Sequence, residues 1–155
     1  PLRYADVVLM AAEAYNETGT ARQKAWDLLN SVRTRAEATS ITEANYDEMM
    51  SARKKTHNLT FIDDSAPEGK FRTALYWERG FELAFEGQRK YDLIRWGVLG
   101  KALKLFGEIS SVNQKENKPY PAYRNFTEGK HELFPIPLKE IQSNPKLNGM
   151  NNNGY

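Results

Sequence analysis

The reading of the fold turns on Arg3-Tyr-Ala-Asp-Val-Val-Leu-Met-Ala-Ala-Glu-Ala-Tyr15, with Gly19 four residues on and Thr20-Ala-Arg-Gln23 directly behind it. Val7, Val8, Met10, Ala11, Ala14 and Tyr15 recur at helical spacing, and Gly19 breaks the run where a left-handed C-terminal residue is wanted. Thr20 and Gln23 have the spacing of a capping box, in which the hydroxyl takes an orphan N–H and the amide reaches back. A second helix should follow, with Ala25, Leu28, Leu29 and Val32 as its apolar stripe and Arg33 and Arg35 near its C-terminus, where the macrodipole favours cations. The segment from about Arg3 to Glu37 is therefore expected to be a helical hairpin that needs a stacked neighbour to bury its outer faces.

Such a hairpin fits the tetratricopeptide pattern, with Val8, Ala11, Ala12 and Tyr15 in the first-helix places and Ala25 and Leu29 in the second. Valine stands where that pattern usually has tryptophan. Further on, Thr42 can cap a polar third helix reaching about Thr56, with Tyr46, Met49 and Met50 on a thin apolar face. Residues 57 to 69 read as a loop, because Asp63-Asp64-Ser65 and Pro67-Glu68-Gly69 are turn formers. A long helical stretch is expected from about Phe71 to Phe106. Leu75, Trp77, Phe81, Leu83 and Phe85 make its first half apolar on most sides, the mark of a buried helix. Gly80 and Gly87 weaken it, and Gly87 marks a kink or break before Tyr91, Leu93, Ile94 and Trp96. Residues 113 to 132 form a polar loop longer than a plain connection needs, which points to function or mobility. Leu133-Phe134-Pro135-Ile136-Pro137 must be extended, since each residue before a proline is pushed out of the helical region. Pro137 can open a one-turn helix through Glu140 and Ile141. The tail from Ser143 is Asn/Gly-rich irregular chain.

Composition limits the function. The 155 residues suit one domain with a real core, and 40% hydrophobic and 27% charged residues are ordinary for a globular chain. With 22 basic against 20 acidic side chains the formal charge is +2, which gives no basic stripe for nucleic acid. The absence of cysteine removes disulfides, thiolate metal sites and a cysteine nucleophile. No apolar run approaches the ~20 residues that span a bilayer. Beginning in mid-pattern at Pro-Leu-Arg-Tyr, the chain reads as a piece whose export signal and any lipid-attachment cysteine lie upstream.

The densest charge pattern is Glu78, Arg79, Glu82, Glu86, Arg89, Asp92 and Arg95. Glu78, Glu82 and Glu86 share one helix face, and Arg79 with Glu82 and Glu86 with Arg89 have i,i+3 spacing. A carboxylate-bridged metal site wants Glu-x-x-His pairs, and this block has no histidine. A network of ion pairs locking a central helix to its neighbours is the better reading, because buried charge is costly unless paired. His131-Glu132 is half of a zinc-protease signature, but position 135 is Pro135 where the second histidine should be. His57 stands alone, Asp63-Asp64 reads as a solvated acidic turn, and no nucleophile motif is present. Metal, cofactor and catalysis are accordingly not expected. Trp26, Trp77 and Trp96 fall among apolar residues on helices and read as core. Tyr120, Tyr123 and Phe126, beside Arg124 and Asn125 in the polar loop, are the candidate ligand contacts, although they could equally tuck onto the helices beneath.

Four stretches carry a family resemblance: Arg3 to Tyr15; Leu29-Asn-Ser-Val-Arg-Thr-Arg35; Glu78-Arg-Gly-Phe-Glu-Leu-Ala-Phe-Glu-Gly-Gln-Arg89 running on through Tyr91-Asp-Leu-Ile-Arg-Trp-Gly97; and Phe134-Pro-Ile-Pro137 with Glu140-Ile141, Asn144-Pro145 and Gly154-Tyr155. In order and spacing the chain resembles the C-terminal region of SusD/RagB proteins, with Asn-Asn-Gly-Tyr at the end where Asn-Pro-Gly-Tyr is more usual. The segment from about Ala38 to Gly69 matches none of the family's patterns. The resemblance implies a mostly α fold of tetratricopeptide-like helical hairpins, with long irregular loops and an extended C-terminal tail. Residues 1–155 would form a single helical region of a larger protein. That protein would be held on the outer-membrane surface by a lipid in its N-terminal part. It would bind glycan or other nutrient oligomers without breaking bonds and pass them to a SusC-like TonB-dependent transporter. Glycan contacts in the family come largely from outside these motifs, so this region would serve mainly as scaffold. Two other classes stay open on the residues alone: a helical-repeat adaptor for another protein's peptide, and a glycosidase using a carboxylate pair such as Glu78 and Asp92, which would have to be accessible.

Overall fold

A computed structural model describes residues 2–113 and 121–155, and these form helices and irregular chain with no strand among them. The described chain divides into two compact units, Pro1–Tyr91 and Asp92–Tyr155.

In the first unit, α1 (Tyr4–Thr18) ends at Gly19, whose φ of 66° is the left-handed cap expected there. A three-residue link folds α2 (Arg22–Arg35) back along α1. The capping box does not form. The N-cap is Ala21, the Thr20 hydroxyl pairs with Thr18 Oγ1 at 2.9 Å, and Gln23 donates to Asp27 instead. With only one residue between Gly19 and the new helix entry, Thr20 is still part of the preceding turn. Asn30 then pins the outgoing chain, accepting from Ile41 N and donating to Ile41 O, both at 2.8 Å. The third helix, α3, covers Tyr46–Thr56 behind a turn in which Thr42 and Asn45 exchange side-chain to backbone hydrogen bonds. Helix α4 (Pro67–Glu82) packs on both α1 and α2. It starts with Pro67 in its first turn, earlier than the turn-forming residues suggested, because proline needs no N–H there.

The core of this unit is Leu9, Ala12, Ala25, Trp26, Leu29, Ile41, Tyr46, Met50, Phe71 and Leu75. Trp26 meets Phe71 edge-on, with centroids 4.9 Å apart. Gly69 allows the closest approach: a β-carbon there would lie 1.7 Å from the Asp63 carbonyl oxygen.

The long stretch expected from Phe71 to Phe106 is three helices. The first ends at Glu82, well before Gly87, and a turn follows in which Phe85 takes φ 64° and Gly87 φ 77°. The expectation of burial fails for two of its aromatics, since Phe81 is 56% exposed and Phe85 wholly so. Positive φ turns Phe85 off the helical stripe on which its spacing had placed it. Helix α5 (Arg89–Arg95) carries the chain into the second unit.

There α6 (Leu99–Asn113) and the short α7 (Pro121–Arg124) pack together, with Leu93, Val98, Leu99 and Ala102 buried. The loop expected over 113–132 thus carries a helical turn and further turns in its described part. Helix α8 (Leu138–Ser143) follows Pro137, and a 3₁₀ turn covers Pro145–Leu147. The Asn-rich tail is ordered by its amides. Asn151 accepts from Ile136 N at 2.7 Å and donates to Ile136 O, Asn152 donates to Phe134 O, and the Tyr155 hydroxyl donates to Leu133 O. The extended segment 133–137 thereby gains side-chain partners for backbone groups that its prolines deny a regular ladder. No described helix is long and apolar enough to cross a membrane.

Candidate functional site

The charged face of α4 is engaged across helices. Glu78 and Arg33 of α2 meet at 2.5 Å with both side chains 7% exposed, and Arg33 Nε donates to Thr39 O at 2.8 Å. One residue on, Arg79 lies 2.8 Å from Asp6 of α1, and this pair is as deeply buried. Glu82 takes Arg3 at 2.5 Å and Arg35 at 2.6 Å, while Glu86 pairs with Arg3. Arg89 donates to Tyr76 O at 2.8 Å and its guanidinium lies 3.8 Å from the centre of the Tyr76 ring. In the second unit Asp92 is buried and holds Arg95 at 3.0 Å. Spacing along the helix found these residues, but it could not show that Glu78, Arg79 and Glu82 use partners on α1 and α2.

A second polar cluster lies between α3 and the loop before α4. Tyr46, fully buried, donates its hydroxyl to Asp64 at 2.7 Å, and Asp64 also takes Lys54 at 2.7 Å. Burial works to raise the Asp64 carboxyl, but the Lys54 ammonium and the Tyr46 hydroxyl outweigh it and hold it below the usual range. The Tyr46 phenol is pushed well above its usual value, chiefly by burial. Of Asp63-Asp64, read from sequence as a solvated acidic turn, Asp63 is exposed and Asp64 is half-buried and paired. Among the described residues no three metal-binding side chains gather.

The ligand candidates separate. Tyr120 lies outside the described residues, and Arg124 is exposed on α7. Tyr123 and Phe126 line one cleft of about 400 Å³ in the second unit, together with Lys101 and Lys104 of α6, Glu128 and Glu132. Phe126 sits so close to α6 that a β-carbon on Gly100 would lie 2.7 Å from its ring. Behind it, Thr127 N donates to His131 Nδ1 at 2.7 Å, and the His131 ring stands between Phe126 and Tyr155. Of the His131-Glu132 dipeptide, set aside as half a zinc motif, Glu132 lines this cleft and His131 packs behind Phe126. The cleft's lysines were missed because spacing on α6 reveals a face, not what stands opposite.

Comparison with known proteins gives one family. The model of the SusD family matches residues 1–155. SusD-like protein P25 of Formosa agariphila is 38% identical over 156 residues, covering 99% of this chain and 24% of that protein. SusD-like protein P2 of the same organism is 34% identical over 155 residues, covering 100% and 25%, and SusD-like protein P38 is 26% identical over 145 residues, covering 94% and 22%. The chain spans about a quarter of the length of the curated relatives it matches. No solved structure matches it. From the Arg3 helix to the terminal Gly154-Tyr155, the chain belongs to the SusD family.

Proposed function

We propose that this chain is the C-terminal helical region of a surface protein of the outer membrane, lipid-anchored through its N-terminal part. That protein captures glycan or other nutrient oligomers without bond cleavage and delivers them to a SusC-like TonB-dependent transporter. The chain's own share is mainly scaffold. The observation that carries this reading is the use of the acidic residues of α4. Glu78 holds Arg33 of α2 and Glu82 holds Arg35 of α2 and Arg3 at the start of α1, with Glu86 in the following turn also on Arg3, so these carboxylates serve packing. A carboxylate-pair glycosidase needs two accessible carboxyls flanking a cleft, whereas Glu78 and Asp92 are 6% and 3% exposed. Helix α1 supports the scaffold role. It buries Val8, Leu9 and Ala12 yet leaves Tyr4, Val7 and Met10 exposed on another side, as a helix does when both faces are meant to be covered. Whether those faces receive neighbouring helix pairs in tetratricopeptide fashion is part of the same proposal.

The test is calorimetric titration of the longer protein and of this chain with soluble oligosaccharides, with the products analysed afterwards. Saturable binding by the longer protein, at least tenfold weaker or absent in this chain, with no shortened sugar released, is expected. Release of shortened sugar would defeat the reading.

A further inference from the structure

We propose that the Trp77–Phe81 face of α4, with Arg53 of α3 laid across it, docks an acidic segment of a partner protein, one that presents a carboxylate beside an apolar side chain. The platform lies wholly in the first unit, and the inference does not depend on the nutrient-binding reading. Trp77 and Phe81, one helical turn apart, stack with centroids 5.9 Å apart and planes 18° from parallel. The Arg53 guanidinium lies 4.8 Å from the centre of the Phe81 ring and 5.5 Å from that of Trp77. His57 stands edge-on to Trp77 at 6.1 Å, and both His57 and Phe81 are exposed. Arg79, which pairs with Asp6 of α1, is two residues from each ring, roughly 200° round the helix. The platform is therefore on the side of α4 turned away from α1.

Charge names the occupant. Glu78 and Glu82, the carboxylates of α4 beside the platform, already hold Arg33, Arg3 and Arg35, and no carboxylate pairs with Arg53 among the described residues. Burial, and after it the Arg33 charge, hold the Arg53 guanidinium below its usual value, with Glu78 only partly opposing them. A half-buried cation beside another cation is costly, and a carboxylate arriving from outside relieves it. The rings restrain the planar guanidinium, so a two-point bond to that carboxylate adds little ordering cost. The crevice beside Arg53, His57 and Trp77 is only about 10 Å³, room for one water, so an occupant gains its contact area by lying across the surface. Exposed aromatic rings with an arginine are the composition of protein–protein hot spots. Membranes and nucleic acids are bound by clusters of unmatched cations. Here Lys54 is already on Asp64, and Lys55 points from another side of α3.

The experiment is nuclear magnetic resonance titration of the chain with an acetylated peptide repeating Asp-Glu-Leu-Gly. A peptide repeating Asn-Gln-Leu-Gly and phosphatidylglycerol vesicles serve as comparisons. Saturable binding of the acidic peptide, with a Kd of about 0.1–1 mM, should shift the Trp77 indole N–H and the Arg53 Nε–H. Arg53→Met and Phe81→Ser, each checked for an unchanged melting curve, should weaken it about tenfold. Arg53→Lys, which keeps the charge and loses the fork, should weaken it about threefold, and Lys55→Met should leave it unchanged. The longer protein should bind the same peptide. The docking site is overturned by no binding of the acidic peptide, by equal binding of the amide peptide, by indifference to Arg53→Met, or by vesicles binding this face in preference. Binding by this chain but not by the longer protein overturns it too, since the rest of the same protein would then cover the platform.

Discussion

The pair Arg33–Glu78 offers the sharpest test of how this fold is held. Both side chains are 7% exposed and 2.5 Å apart, and Arg33 is further fixed by its bond to Thr39 O. Glu78→Ala leaves a guanidinium in that environment with one carbonyl and no counter-charge. Breaking a buried pair in this way costs about 3–5 kcal/mol, a large share of the 5–15 kcal/mol that stabilises a typical domain. Removing both charges together, as Arg33→Met with Glu78→Leu, should cost far less and could stabilise the fold, because the desolvation penalty disappears with the attraction. Arg35 provides the control. It binds Glu82 while 58% exposed, so Arg35→Ala should cost at most about 1 kcal/mol. Urea unfolding at neutral pH gives the totals, and native-state hydrogen exchange of the α2 and α4 amides shows whether the loss falls in the first unit. A Glu78→Ala cost below about 1 kcal/mol, or a double variant as damaged as the single, would refute the argument that this pair is buried and mutually neutralised.

Four further outcomes follow from the geometry. Gly69→Ala places a β-carbon 1.7 Å from Asp63 O, a backbone atom that cannot rotate away, and should cost about 1–3 kcal/mol by chemical denaturation. Gly100→Ala should move the Phe126 ring, seen as altered aromatic resonances, while the gain in helix propensity of about 1 kcal/mol offsets part of the overpacking in chemical denaturation. Acid should destabilise the chain through Asp64, and through Glu17, whose carboxyl is held below its usual range by its hydrogen bonds to Arg72. Since both folded values are depressed, their stabilisation is present above the unfolded value of about 4 and is lost as pH falls through the folded values; Asp64→Asn should flatten that part of a stability–pH curve. On α1, Val7→Lys and Met10→Lys should change the stability of this chain by no more than about 0.5 kcal/mol but destabilise the longer protein by several times that; equal effects in both would remove the scaffold argument.

What the sequence disclosed was local. Gly19 works through its own backbone, and the α1 and α2 stripes follow from helical period, so these needed no knowledge of the rest of the chain. The misreadings share a cause as well. Thr20-Ala-Arg-Gln23 has the letters of a capping box, but whether Thr20 begins a helix or closes a turn depends on how soon α2 must fold back on α1. Phe85 lies on an apolar stripe only if the helix continues, and the turn at φ 64° takes it off. The tail is largely irregular chain, as its asparagines indicate, but its sequence does not disclose how it is held. It is ordered because Asn151 and Asn152 find backbone atoms fifteen to eighteen residues away.

The same limit explains the division between scaffold and cleft. A charge on α4 is recognisable from spacing because its own helix supplies the pattern, and that is how the Glu78-to-Arg95 ladder was found. A binding cleft has no such period. Tyr123 and Phe126 stood out only as aromatics in polar company, and Glu132 only as the neighbour of a histidine that could not hold zinc. Lys101, Lys104 and Glu132 share a cleft because α6 faces the chain that His131 and Tyr155 hold in place. Folding gives Glu132 its place: in the sequence it is one acidic residue among twenty, and in the structure it lines a cleft with Tyr123 and Phe126. Rings and acid come together there from separated stretches of chain, which no spacing along one helix can show.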